Sequence, residues 1–171
     1  HPDIAKYYDS IGSLWDKKGD LDKALENCQK ALQMSMKFYR EAHPDIAKLY
    51  NNTGWIWAKK GNLDKGLENC QKALQMSMKF FGEDHPNLTA SYHNIGLIWD
   101  IKGNLDEALE NYKNALKIEL KFFGEEHPDI VNSYNNIGSI WSKKGDLDNA
   151  LENYQKALQI KLKSLGEDHP D

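Results

Sequence analysis

The sequence predicts an all-α fold, namely a right-handed α-solenoid of four helix-turn-helix repeats. A His-Pro pair recurs at residues 1, 43, 85, 127 and 169, so the chain repeats itself at an unbroken interval of 42 residues. Each copy contains two stretches in which apolar residues recur at helical spacing. Because one helical hairpin cannot bury its apolar face alone, the copies must stack on one another to form a core.

The repeats follow one another without a linker. Four copies span residues 1–42, 43–84, 85–126 and 127–168, and residues 169–171 begin a fifth. No insertion interrupts the period. We therefore expect one continuous array rather than separate domains.

The first helix of each copy is predicted to begin near its proline, which lacks an N–H and has a fixed φ suited to a first turn. In the first copy Ile4, Tyr8, Ile11 and Trp15 are spaced four, three and four residues apart, so they lie on one helical face. Gly19 is expected to end this helix, as glycine does at the same position of each later copy. The tryptophan also recurs in register, which indicates a core aromatic residue.

The second helix of the first copy is predicted to begin after Asp20, because an aspartate side chain accepts hydrogen bonds from the free N–H groups of a first turn. Gly12 in the first helix, with Ala24 and Ala31 in the second, marks where the helix backbones approach closely. The apolar side of the second helix consists of Leu21, Ala24, Leu25, Cys28, Ala31, Leu32, Met36 and Phe38.

The composition excludes several classes of protein. Hydrophobic residues make up 40% and charged residues 28%, unlike collagen-like or strongly disordered chains. The net charge is −4 with both signs mixed, whereas an electrostatic nucleic-acid binder is usually basic. No apolar run approaches the ~18 residues that a membrane span needs, and two cysteines are too few for a disulfide scaffold. We therefore expect a soluble, cytoplasmic protein that binds neither nucleic acid nor membrane.

The recurring residues resemble the tetratricopeptide repeat, whose pattern is aromatic, Leu-Gly, aromatic, Gly, Ala, aromatic and Ala-Leu. That repeat usually has about 34 residues, and here a longer second helix and loop extend it. With Asn-Asn in the first helix and Leu-Gly-Glu-Asp-His-Pro at the end, the longer form is similar to the repeats of kinesin light chains. The resemblance implies a solenoid whose first helices line a concave side. The matching positions in the first copy are Tyr8, Ile11, Gly12, Trp15, Gly19, Ala24, Cys28, Ala31 and Leu32.

No set of residues converges as a catalytic or metal site would. The His-Pro-Asp tripeptide is similar to the one with which J-domains engage Hsp70, but here it starts every hairpin except the third, so we interpret it as a helix-start turn. Successive histidines lie one repeat apart, on the order of 10 Å, too far to share a metal ion bound at about 2 Å. Cys28 and Cys70 occupy equivalent positions, which favours burial over reactivity. We expect no enzymatic activity, cofactor or metal.

Asparagine recurs at one level of the predicted first helices and is a poor residue in a helix interior. Its amide offers donors and an acceptor suited to a peptide backbone, and kinesin light chains use similar asparagines on cargo peptides. Trp55 stands where two other copies have serine, so we expect it to be exposed beside Leu97 and Ile101, as a binding hot spot. The candidate peptide-binding residues are Asn51, Asn52, His93, Asn94, Asn135, Asn136, Lys48, Trp55, Leu97 and Lys59.

The predicted function is that of a protein-interaction scaffold holding an extended peptide in its concave groove. The positions expected to line the groove carry five lysines and three aspartates, an excess that favours a peptide with some acidic or aromatic character. These residues are Lys6, Lys17, Lys48, Lys59, Lys143, Asp9, Asp16 and Asp100. One alternative is a structural array that self-associates through its apolar repeat ends, where the first copy presents Ile4, Tyr8, Ile11 and Trp15, giving a homo-oligomer. Another is the targeting segment of a larger multidomain protein. RNA binding is disfavoured by the acidic balance.

Overall fold

The computed structural model describes residues 2–39 and 43–166, and every regular element within these ranges is helical. The predicted start of a fifth repeat, residues 169–171, lies outside the described residues. Short 3-10 helices over Pro86–Leu88 and Pro128–Ile130 precede two of the first helices. The α-helices are α1 (Pro2–Lys17), α2 (Leu21–Phe38), α3 (Pro44–Lys59), α4 (Leu63–Phe81), α5 (Thr89–Lys102), α6 (Leu105–Phe123), α7 (Val131–Lys144) and α8 (Leu147–Gly166).

The helices form antiparallel hairpins that stack in sequence. Helix α1 packs on α2, α3 on α4, α5 on α6 and α7 on α8, and the second helix of each hairpin also packs on the first helix of the next. Helices α3 and α5 additionally contact each other directly. The predicted all-α helical-repeat solenoid is therefore confirmed.

The histidine of the His-Pro pair caps the helical turn that follows it, which belongs to α3 in the second hairpin and to a 3-10 helix in the third and fourth. Nδ1 of His43 accepts a hydrogen bond from the backbone N–H of Asp45 at 3.1 Å, and His85 and His127 each bond the N–H two residues on at 3.2 Å. Each ring also stacks on an aromatic residue of the preceding second helix or its end. The helix-start interpretation of this motif is thus confirmed for these three copies. The stacked partners are Tyr39, Phe81 and Phe123, at ring-centroid distances of 3.5, 4.2 and 4.8 Å.

Glycine ends the first helix of each hairpin in the left-handed region, with φ of +82° at Gly19 and similar values at the three equivalent glycines. A side chain with a Cβ is disfavoured there. The second helix then begins with a side-chain cap: Asp20 accepts from the N–H of Lys23, as predicted. Asn62 and Asp146 make the equivalent bond, whereas Asn104 does not.

The core forms between successive hairpins. Ile56 of α3 packs against three residues of α2, namely Ala24, Leu25 and Cys28. The same arrangement recurs around Leu67 and around Leu109, so each second helix is covered by the hairpin that follows it. These three leucines are only 5–7% exposed.

The two ends of the array present apolar faces. Leu151 of α8 is 57% exposed, although its equivalents in α2, α4 and α6 are buried. At the other end, Ile4 and Ile11 of α1 are exposed as expected, but Tyr8 and Trp15 are half-buried against core clusters. The expectation that Tyr8 and Trp15 lie on this exposed face was therefore wrong. The helix turns Tyr7 and Leu14 outward instead, since these positions share a face with Ile4 and Ile11.

The recurring tryptophans are half-buried and pack against the core clusters. At least one lysine Nζ lies 4.3–5.9 Å from the centroid of a ring of each. Each ring therefore has a core side and a side covered by a cation, an arrangement that adds a cation–π attraction. The residues are Trp15, Trp57, Trp99 and Trp141.

The close approach of paired helices depends on one glycine in each first helix. A Cβ added at Gly54 would lie 2.5 Å from Sγ of Cys70 and 2.8 Å from the carbonyl oxygen of Gly66. At Gly96 and Gly138 the nearest atoms belong to the rings of Tyr112 and Tyr154, at 3.0–3.2 Å. A cysteine in the second hairpin and a tyrosine in the third and fourth therefore pack against the equivalent glycine of the first helix.

We predict that Gly54→Ala destabilises the protein by about 1–3 kcal/mol, because the new methyl group overpacks a contact that includes backbone. Chemical denaturation followed by circular dichroism measures the loss. Ser13→Ala, at an exposed position of α1, is the matched control and should change stability by less than about 0.5 kcal/mol. Equal stability of the Gly54→Ala variant and the parent protein would contradict the packing described here.

Candidate functional site

The candidate residues lie on the surface formed by α1, α3, α5 and α7, which we call the first-helix surface. Side chains of neighbouring first helices bond one another across it. The carboxylate of Asp9 on α1 accepts from Nδ2 of Asn52 on α3 at 3.0 Å and pairs with Nζ of Lys48 at 3.1 Å. The side chain of Asp9 is only 13% exposed, so these contacts are partly shielded from water. This aspartate joins the first two hairpins.

Asparagine occupies one equivalent position of α3, α5 and α7, which we call the asparagine register, and its members are Asn52, Asn94 and Asn136. The side-chain amide of Asn52 is already hydrogen-bonded to Asp9, so it links two helices rather than remaining free for a ligand. Asn94 and Asn136 are half-buried, and no side-chain hydrogen bond involves them within the described ranges. Asn135, beside Asn136, is exposed. Two of the three register positions therefore keep amide groups that a ligand could use.

His93 belongs to a buried cluster that the sequence analysis did not identify. Its Nε2 lies 3.0 Å from Oε1 of Glu119 on α6 and 3.1 Å from Oγ of Ser133 on α7, and the Ser133 hydroxyl also donates to Oε2 of Glu119. Glu119 and Ser133 are 5% and 0% exposed. The one available signal was that Glu119 stands where the first two copies have Ser35 and Ser77.

This cluster is not arranged as a nucleophilic triad. In such a triad the acid holds one ring nitrogen and the serine uses the other. Here Glu119 and Ser133 share Nε2 of His93, and the serine proton points to the carboxylate. The three side chains join α5, α6 and α7 and thereby stabilise the stacking of the third and fourth hairpins.

The lysines of the first-helix surface are mostly paired. Nζ of Lys59 lies 2.8 and 3.0 Å from the two carboxylate oxygens of Asp16, and Lys143 contacts Asp100 in the same way at 2.6 Å. Lys48 pairs with Asp9, as above. Three of the five groove lysines are thus neutralised by the three groove aspartates, which leaves the other two, Lys6 and Lys17, to supply the positive excess.

Trp55 is not the exposed anchor that the sequence suggested. It is half-buried and packs against the cluster of Ala58, Leu67, Cys70, Ile95 and Ile98, and Nζ of Lys59 lies 5.7 Å from a ring centroid. Leu97 is also half-buried, against the next cluster, whereas Ile101 is exposed. The expectation was wrong because a larger side chain at a serine position folds back onto apolar surface rather than into water.

Asn51 faces an open cavity of about 370 Å³ between the second and third hairpins. Ser77, Ser91, Lys48 and Asn87 are among the other residues that line it. Oδ1 of Asn51 is buried and has no hydrogen-bond partner. A second opening, of about 500 Å³, lies between the third and fourth hairpins. Its lining includes four of the candidates, His93, Asn94, Asn135 and Asn136, together with Leu97.

The two thiols are poor nucleophiles. Burial, with added repulsion from Asp9 and Asp16, raises the pKa of the Cys28 thiol to about 12, and burial alone raises the pKa of Cys70 to about 12. Both remain protonated at neutral pH. Among the described residues no group of three or more histidine, cysteine or acidic side chains is placed to hold a metal ion, and none of the described helices could cross a bilayer.

The sequence matches three models of the tetratricopeptide repeat, over residues 5–38, 46–87 and 101–163. This chain belongs to the tetratricopeptide-repeat family, in a form that resembles the repeats of kinesin light chains. Members of this family are generally non-enzymatic and commonly act as protein-interaction scaffolds. No curated protein sequence matches the chain at a significant level.

Several solved structures share the fold at low sequence identity. BtubC (BKLC) from P. vanneervenii is 24% identical with a TM-score of 0.89, covering 100% of this chain and 68% of that one. The nearly identical TPR-like repeats assigned to a kinesin light chain of Podosopora anserina are 20% identical with a TM-score of 0.84, covering 99% and 81%. MamA is 20% identical with a TM-score of 0.71, covering 97% and 83%. These similarities extend to the fold alone.

We predict that Trp55→Ser destabilises the protein by about 1–3 kcal/mol, because it removes half-buried apolar surface that packs on a core cluster. Urea denaturation measures the change. Ser139→Ala, at the equivalent position of α7, is the control and should be nearly neutral. A Trp55→Ser variant as stable as the parent would restore the earlier view of this residue as an exposed anchor.

Proposed function

We propose that this chain is a protein-interaction scaffold that binds an extended peptide segment in the concave groove formed by its first helices. The observation that carries the proposal is the opening between α5 and α7, where Asn94 and Asn136 line one surface and neither bonds another side chain of the described protein. A half-buried amide without a protein partner keeps its donors and its acceptor available to a ligand. A peptide backbone running across both helices supplies an N–H and a C=O for each amide.

The apolar lining of the same opening supports a peptide ligand. Ala90 and Leu97 flank Asn94 along α5, and Tyr112 contributes to the lining from α6. Apolar surface beside placed polar groups is typical of binding sites. With most groove lysines already paired, a preference for acidic peptides depends on Lys6 and Lys17, near the opposite end of the array.

We predict that the double variant Asn94→Ala/Asn136→Ala weakens binding of a groove peptide by about 5- to 100-fold, since each direct hydrogen bond contributes about 0.5–1.5 kcal/mol. Isothermal titration calorimetry with peptides selected from a random library by this chain gives the affinities.

Asn52→Ala is the matched control for this experiment, because Asn52 bonds Asp9. It should lower the melting temperature while changing peptide affinity little. Unchanged affinity in the Asn94→Ala/Asn136→Ala variant, with its helical circular dichroism retained, would refute the amide-binding role. Failure to select any peptide would refute the proposed function itself.

A second candidate function is head-to-tail self-association, which the terminal faces favour. Leu151 of α8 is exposed at the position where α2, α4 and α6 bury a leucine against a following hairpin, and α1 exposes positions that α3 buries against α2. A second copy of this chain therefore offers α8 the type of surface that its internal equivalents already cover. The exposed apolar residues on this face of α8 are Leu147, Leu151, Tyr154, Leu158 and Leu162.

We predict that the 171-residue chain gains mass with concentration in light scattering, and that Leu151→Glu/Leu158→Glu keeps it monomeric, because charges would be buried in the stacked interface. Ile101→Glu, at an exposed apolar position away from both ends, should leave association unchanged. A parent chain that stays monomeric at millimolar concentration would eliminate this candidate.

A further inference from the structure

One contact between paired helices recurs in three hairpins and is not formed in the third. In each of the three, a lysine of the second helix bonds the glutamate one turn before it at 2.6 Å. Its Nζ also lies 5.8–5.9 Å from the centroid of a tyrosine ring of the first helix. A carboxylate and an aromatic ring therefore hold one ammonium group together. The three sets are Tyr8, Glu26 and Lys30; Tyr50, Glu68 and Lys72; and Tyr134, Glu152 and Lys156.

The third hairpin keeps the ring and the carboxylate but not the lysine. Its equivalent residues are Tyr92, Glu110 and Asn114. The side chain of Glu110 is exposed and forms no ion pair or hydrogen bond with any described residue. Burial, followed by repulsion from three carboxylates, raises the pKa of the Tyr92 hydroxyl. Negative charge is thus concentrated beside this ring, and the three carboxylates belong to Glu83, Asp84 and Glu110.

The lysines of α6 that lie close to this site are directed to other partners. Nζ of Lys113 lies 5.1 Å from a ring centroid of Trp141 in the next hairpin. Lys121 bonds Asp84 at 2.7 Å, and this bond, with a smaller attraction from Lys117, lowers the pKa of that carboxyl. Within the described part of the chain, the tyrosine and the glutamate of the third hairpin are therefore left without a bound ammonium group.

The equivalent position is open to solvent in the other three hairpins. The lysines that occupy it are 48–49% exposed, and their glutamates are 59–61% exposed. Glu110 is exposed in the same way. Asn114 has a much shorter side chain than lysine, so it does not extend to the carboxylate one turn before it. A lysine arriving from outside the molecule can therefore reach the same position.

This site is separate from the groove side of α5. Because an α-helix has 3.6 residues per turn, Tyr92 and Asn94 lie about 160° apart around the axis of α5. Tyr92 is also absent from the lining of the opening that contains Asn94. A ligand at Tyr92 and Glu110 thus leaves the proposed peptide groove free.

The surroundings favour a lysine of a protein over a free amine. Glu83 and Asp84 also line an open cavity of about 450 Å³, whose walls include the rings of Phe81, His85 and Phe122. Phe122 is 50% exposed. Apolar surface beside a charged position is suited to a polypeptide segment, which carries apolar side chains next to its lysine.

We propose that the third hairpin binds a lysine side chain of a partner protein between Tyr92 and Glu110. The ammonium group pairs with the Glu110 carboxylate and faces the Tyr92 ring. Lysine is the expected cation because a lysine of the chain itself fills each of the three equivalent sites. The site is a second interaction surface, and it does not depend on the peptide groove.

The first experiment uses N-acetyllysine N-methylamide as the probe and the uncharged norleucine derivative as the control. With tyrosine-labelled protein, we expect the lysine probe to shift the ring signals of Tyr92 in nuclear magnetic resonance spectra. The shift should be saturable and larger than that caused by the control at equal ionic strength. Tyr92→Phe identifies the signals. Equal shifts with both derivatives, or no shift with the lysine probe, would overturn the proposal.

Three variants locate the binding. Asn114→Lys gives the third hairpin the lysine of the other hairpins and should abolish the effect of the probe on Tyr92 while keeping the fold. Glu110→Gln should weaken the probe by about 1.5- to 5-fold. Lys72→Asn is the matched variant in the opposite sense, because it removes the lysine beside Tyr50 and should create a second probe site there. Undiminished binding in Asn114→Lys, or no new shift at Tyr50 in Lys72→Asn, would contradict the proposed site.

A further variant tests whether the chain fills the site itself. Lys113→Gln/Lys117→Gln carries the glutamines that the other copies have at these positions, and it should bind the probe at least as tightly as the parent does. Binding that is seen only in this variant would show that one of these two lysines occupies the site, and the proposal would then be wrong.

Peptide selection distinguishes a protein lysine from a free amine. A random peptide library is selected on the parent chain and counter-selected on Asn114→Lys, which also removes peptides that bind the groove. We expect the enriched peptides to contain lysine. Changing that lysine to methionine should weaken binding to the parent by about 3- to 30-fold, but should not weaken binding to Asn114→Lys. Enriched peptides without lysine, or no enrichment at all, would refute the docking role.

Discussion

The burial of each second helix beneath the following hairpin is the interaction on which the rest of this structure depends. Leu25, Leu67 and Leu109 lose nearly all contact with water only because a further hairpin covers them, while Leu151 remains exposed. Each hairpin thus obtains its core from its neighbour, so stability is shared along the array rather than held within one unit. The glycine contacts between paired helices bring the backbones close enough for this stacking.

The near-identity of the repeats makes their few differences informative. One equivalent position of α1, α3 and α5 holds a different residue in each helix. Asp9 accepts a hydrogen bond from the next first helix, Oδ1 of Asn51 has no partner, and His93 bonds a buried glutamate. At another level Lys59 and Lys143 pair with aspartates, whereas the third hairpin places Ile101 there. A uniform scaffold with a varied surface allows binding chemistry to change without disturbing the core.

Much of the candidate site could not be predicted from one sequence, because a periodic pattern places a residue on a face without identifying its partners. Asn52 and Asn94 occupy equivalent positions, yet only Asn52 bonds the preceding helix, since Asp9 stands opposite it and Asn51 stands opposite Asn94. Because two equivalent positions hold serine, Trp55 was predicted to be exposed, but it packs against the core cluster that includes Ile98. Both outcomes depend on the pairing of residues about one repeat apart.

The sequence by itself determined the repeat, the helix pairs, the capping of their ends and the solenoid that follows from stacking them. These features arise from local spacing, from glycine and proline at fixed positions and from the need to bury a helical face. Only the tertiary structure decided which amides are occupied, which lysines are neutralised and where a cavity remains. Those properties depend on distances between side chains of different hairpins, and in this chain residues such as Glu119 and Ser133 meet only once the hairpins have stacked.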